Sequence, residues 1–105
     1  MIFTIKAHDT TSLRGTLKDA NGSVVNLTGA TVNFVVVKRD LTPKFKRAAE
    51  ITNAAGGQVQ YSFTPTDTTE IGIFYGEFEV TYAGGAVETF PNEGHIRIMI
   101  GSDLG

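Results

Sequence analysis

Glu77 and Glu79 are the residues whose types and spacing come nearest to a catalytic pattern. Two positions apart on an extended segment, their carboxylates share a face and would reach one substrate, as the two acids of a glycosidase must. Solvent-facing acids beside an inward aromatic row give the same pattern without any chemistry, and Phe74, Phe78 and Tyr82 form such a row here. His8 beside Asp9, with His95 far along the chain, offers imidazole for a base and its orienting acid, or for a metal. Two histidines with no fixed spacing fit surface and turn positions better. Ser12, Ser23, Ser62 and Ser102 lie in no Gly-x-Ser-x-Gly context, so the strained turn that exposes a serine nucleophile is not encoded. The glycine pairs 56–57 and 84–85 precede extended segments, leaving a phosphate no helix N-terminus to bind.

The chain has no cysteine, which removes disulfides, thiolate metal sites and thiol nucleophiles together. No enzyme class, cofactor or metal emerges. The segment Lys38, Arg39, Lys44, Phe45, Lys46, Arg47 carries five of the nine basic residues. With one aromatic among them it could hold single-stranded nucleic acid by charge and stacking. A net charge of −2 argues against that, and an exposed loop contacting protein accounts for it better. From Asp67 to Glu93 there are six acids and no basic residue. Glu77, Glu79 and Glu88 in that stretch are therefore the expected counterpart to the basic loop, between copies of the chain or between chain and partner.

The elements that carry these residues are short and extended. At 105 residues, 41% apolar and 19% charged, one folded domain spanning 1–105 is expected. Period-two alternation recurs where no helical stripe does: Phe3 and Ile5; Leu13, Gly15 and Leu17; Val32, Phe34 and Val36; Val59, Tyr61 and Phe63; Phe74 to Tyr82; Ile96, Ile98 and Ile100. Phe45 to Ile51 reads as one further strand, Val24-Val25 as a short return strand, and Thr66 to Ile71 as a tight corner or helical turn. Asn21-Gly22, Gly56-Gly57 and Gly84-Gly85 are the turn signals between them. The sequons at Asn21 and Asn26 read as turn residues, the N-terminus lacks a signal-peptide pattern, and nothing approaches transmembrane length. Seven or eight short antiparallel strands predict an immunoglobulin-like β-sandwich.

Three longer segments add a resemblance: Asn26-Leu27-Thr28-Gly29-Ala30-Thr31-Val32-Asn33-Phe34, Gly76 to Gly85, and Val87-Glu88-Thr89-Phe90-Pro91 to Ile96. With Gly57 to Phe63 and Asp67-Thr68, they resemble tailed-phage virion proteins related to the N-terminal immunoglobulin-like domain of the baseplate upper protein family. The likeness runs from about residue 10 to 104. It implies a non-enzymatic structural part of the virion, assembled in the host cytoplasm, contacting capsid, tail or baseplate proteins and forming homo-oligomers, with no nucleic-acid or membrane partner. The family's fibre shaft and receptor-binding regions have no counterpart before Gly105, which favours a decoration, joining or adaptor part. A carbohydrate-binding or adhesion module is the competing reading. The lack of tryptophan and the inward placement of most aromatics weigh against it.

Overall fold

The computed structural model describes residues 1–104; Gly105 lies outside them. Among the described residues nine strands form and no helix does: β1 (Ile2–Lys6), β2 (Ser12–Thr16), β3 (Thr31–Lys38), β4 (Pro43–Ala48), β5 (Glu50–Asn53), β6 (Gln58–Ser62), β7 (Gly72–Thr81), β8 (Val87–Phe90) and β9 (Ile96–Gly101). They make two packed sheets. One runs β1-β9-β7-β3-β4, with β8 pairing the far end of β7, and the other runs β2-β6-β5. This is the immunoglobulin-like sandwich that the alternation predicts.

The alternating residues supply the core. Leu13, Val32, Phe34, Val36, Val59, Phe78, Val80 and Ile98 are all buried. At the centre Phe34 meets Phe78 at 4.8 Å and Tyr61 at 5.0 Å between ring centroids, and Tyr61 meets Phe63 edge-on at 5.1 Å. Rings in such tilted and edge contacts add about 0.5–1.5 kcal/mol per pair to the burial itself. The space for Phe34 comes from Gly76, its diagonal neighbour in the ladder between β3 and β7. A Cβ built on Gly76 would stand 2.8 Å from Phe34 and 2.9 Å from Ile98.

Three details differ from the sequence expectation. The segment expected as one strand over Phe45 to Ile51 divides at Ala49, whose N–H donates to the Val32 carbonyl; β4 stays in the larger sheet while β5 crosses to the smaller. Alternation looks the same on either side of such a crossing, so periodicity does not reveal it. Val24-Val25 contributes a single bridge, Lys18 to Val24, because the chain curls back at once over Leu17. Finally β1 pairs with β9 in parallel, Phe3 opposite Ile98 and Ile5 opposite Ile100, in a sheet otherwise antiparallel. Parallel pairing has no local turn signature, since the paired segments are the two ends of the chain.

Gly76→Ala should destabilise the fold by about 1–3 kcal/mol, the range for overpacking a filled core. Urea unfolding of the two proteins measures it, and an unchanged midpoint would contradict the packing described.

Candidate protein-contact surface

The basic segment is a hairpin and an edge strand, not the exposed loop expected. Lys38 to Thr42 form the turn: Lys38 N–H donates to the Thr42 carbonyl and Leu41 N–H to the Lys38 carbonyl, both at 2.8 Å. Asp40 accepts from Thr42 N–H at 3.0 Å, and the hydroxyl and amide of Thr42 hold the Asp40 carboxyl below its usual range. Lys38 and Arg39 stay exposed at the tip. The remaining residues of the segment lie on β4, where alternation sends them to different faces.

Phe45 turns inward, part-buried against Tyr61 at 5.6 Å between ring centroids. It packs the core and offers no stacking platform. Arg47 lies on the same side and reaches Asp67 at 2.6 Å. Asp67 is the one acid with a fully buried side chain among the ion pairs; it also accepts from the Tyr61 hydroxyl at 2.6 Å and from Thr64 N–H at 2.9 Å. Lys44 pairs with Glu70 at 3.4 Å, its ammonium 4.8 Å above the Phe74 ring. Lys46 points to the outer face and meets Glu79 at 2.8 Å. Lys44, Lys46 and Arg47 are thus matched to acids within the chain, and the complementarity expected between copies is largely satisfied inside one copy.

The acids follow the same logic. Glu77 and Glu79 share the outer face of β7 as expected, but each is engaged: Glu79 by Lys46, and Glu77 by His95, whose Nδ1 donates at 2.7 Å. Glu88 lies on the other face of its sheet, accepting from the Tyr82 hydroxyl at 2.8 Å and from Asn92 at 3.3 Å. His8 pairs with Asp103 at 3.1 Å, not with neighbouring Asp9. The two histidines therefore contact separate carboxylates, Asp103 and Glu77.

Between these pairs the outer face of the larger sheet carries a group of apolar side chains with Arg97 among them. Tyr75 lies opposite Val37 on one side and Arg97 on the other, Ile73 opposite Met99, and Val35 opposite Glu77 and Lys46. Ile2 extends the row beyond Arg97, 63% exposed. In the sequence the β-branched Val35 and Val37 between Val32, Phe34 and Val36 read as a central strand partly covered on both faces; Ile73 and Tyr75, which join them on this face, carry no comparable local signal.

Burial, the hydrogen bond to Asp67 and the Asp67 charge raise the Tyr61 hydroxyl well above its ordinary value. Burial and the Glu88 contact push Tyr82 up to about 12. A hydroxyl whose pKa is raised by folding holds its proton in the native state after the unfolded chain has lost it. Its stabilisation is complete below about pH 10 and falls as pH rises through 12. Tyr82→Phe should flatten the decline in stability across that window, as read by denaturant titration at a series of pH values. Arg47→Ala should cost about 1–3 kcal/mol, since it strips a half-exposed cation from a buried carboxylate that keeps its Tyr61 and Thr64 donors; an unchanged stability would show that Asp67 does not depend on it.

Residues 3–90 match the family model described as the BppU N-terminal domain. Among solved structures, the N-terminal domain of phage TP901-1 ORF48 superposes with a TM-score of 0.67 at 14% identity, over 96% of this chain and 85% of that one. CopC from Methylosinus trichosporium OB3b superposes with a TM-score of 0.55 at 9% identity, over 98% and 86%. At these identities the structural likeness is one of fold. No curated protein matches the sequence. The family match runs from β1 through β8, and the chain belongs to the BppU N-terminal domain family, structural β-sandwich domains of the phage baseplate.

Proposed function

We propose that this chain is a non-catalytic attachment domain of the baseplate that docks on neighbouring virion proteins, further copies of itself included, through the outer face of its larger sheet. The observation that carries this reading is the cluster Ile73, Tyr75, Val35, Val37 and Met99, with Arg97 beside Tyr75 and Ile2 beyond it. An aromatic, a methionine and β-branched residues on a rigid sheet are what the buried centre of a protein interface uses. The pairs Lys46–Glu79 and His95–Glu77 border it as a polar rim, and Lys38 and Arg39 extend that rim at the hairpin tip. In this reading Lys46, Glu77, Glu79, Lys38 and Arg39 contribute orientation and association rate. Lys44, Phe45, Arg47 and Glu88 hold the fold that presents them.

A structural role also suits the carboxylates. Glu77 and Glu79 stand on the outer face of a sheet, each already paired within the chain, with His95 and Lys46 respectively. The adhesion reading loses support because Phe34, Phe63, Phe74, Phe78, Phe90 and Tyr61 are all buried, leaving Tyr75 as the aromatic on the proposed face. Zero cysteine fits assembly in the reducing host cytoplasm before release.

Tyr75→Ala should leave thermal unfolding within a few degrees of the parent while reducing incorporation into purified particles about ten-fold, a change on the scale of an interface hot spot. Quantitative mass spectrometry of the particles reads the incorporation. Labelling of the chain should fall at the tail tip, with far fewer copies than capsid protein. Labelling over the head, or normal incorporation of Tyr75→Ala, would overturn the reading.

A further inference from the structure

The smaller sheet has three strands against six in the larger, and β2 is one of its edges. Leu17 N–H donates to the Gly57 carbonyl and Phe63 N–H to the Thr11 carbonyl, so the odd-numbered residues of this stretch turn their peptide groups toward β6. Alternation then directs the N–H and C=O groups of Ser12, Arg14 and Thr16 away from it. The chain after β2 does not cover them, because Val25 N–H returns to the Leu17 carbonyl on the β6 side. Among the described residues β2 pairs with β6 alone. An edge of three consecutive outward peptide groups is a template for another strand.

Beside that edge the sandwich is open. A cleft of about 540 Å³ runs between β2 and the corner that joins β8 to β9. Leu13, Leu17, Phe78, Phe90 and Ile96 supply its apolar lining. The rim on the β2 side carries Lys18; Arg14, four residues earlier on the same strand face, donates to Gln60 at 3.1 Å. Neither forms an ion pair among the described residues. Glu93 and His95 stand on the opposite rim.

We infer that β2 accepts a strand donated by another polypeptide, with apolar side chains at alternate positions filling the cleft and acidic side chains between them facing Arg14 and Lys18. The donated strand would add a fourth position to the smaller sheet and close over the cleft, the general mode of strand addition to a sheet edge. That the donor is a baseplate neighbour rests on the function proposed above; the site itself does not.

The test uses the purified chain and a synthetic peptide that alternates valine with glutamate, with a valine–lysine peptide as control. Amide exchange followed by NMR should show Ser12, Arg14 and Thr16 exchanging freely in the chain alone. With the glutamate peptide they should slow by about ten-fold or more, and the lysine peptide should bind about ten-fold more weakly. Thr16→Pro removes an outward N–H without touching the ladder to β6 and should abolish the protection. Arg14→Glu with Lys18→Glu leaves the backbone intact and should reverse the preference between the peptides, which decides the matter even if the proline variant unfolds. Unchanged exchange at the three amides, or equal binding of both peptides, would overturn the proposal. Either failure would leave the baseplate role standing, and a chain missing from the tail tip would leave the strand site standing.

Discussion

Gly76 sits across the β3–β7 ladder from Val36, and the volume its absent side chain leaves is taken by Phe34 and Ile98. The ring of Phe34 in turn contacts Tyr61, Phe63 and Phe78, so one close approach of backbone to ring connects β3, β6 and β7 and joins the two sheets. Tight interiors transmit volume changes because they contain few voids. The placement of β7 therefore fixes which residues lie inward, and by alternation which lie on the outer face. Tyr75 and Glu77 flank Gly76 in the chain and are presented to solvent by the same packing that buries Phe34.

The second point of attachment is electrostatic. Tyr61 carries the aromatic core at its ring and Asp67 at its hydroxyl, and Asp67 carries Arg47. A buried carboxylate is costly unless it is paired and hydrogen-bonded. Asp67 receives a cation from β4, a hydroxyl from β6 and an amide from its own turn, which ties the edge of the larger sheet to the corner between β6 and β7. The exposed pair Lys46–Glu79 contributes far less to stability. Its value lies in orienting charges around an apolar face.

A domain built this way separates holding from contacting. The interior ties are used up within one copy, while two regions remain without internal partners: the apolar outer face of the larger sheet, and the open edge of β2 with its cleft. They lie on different sheets of the sandwich. On the reading proposed above, two such regions would let the chain join two neighbours at once.

The class of fold was legible because alternation is a local property. Phe34 with Val36, and Phe78 with Val80, declare an inward face whatever surrounds them, and Asn21-Gly22 and Gly84-Gly85 place turns by backbone freedom alone. The resemblance over Gly76–Gly85 and Val87–Ile96 carried the baseplate family for the same reason, since it rests on contiguous residues. The basic segment was legible as composition but not as a site. Whether Arg47 meets a partner protein or a buried aspartate twenty residues away depends on which strand faces which, and whether Phe45 stacks on a ligand or on Tyr61 depends on the face β4 turns inward. The parallel union of β1 with β9, the crossing at Ala49 and the vacancy beside β2 were decided by tertiary structure alone. Each is a relation between segments distant in the chain, and pairing energies between distant segments leave no periodic trace in either one.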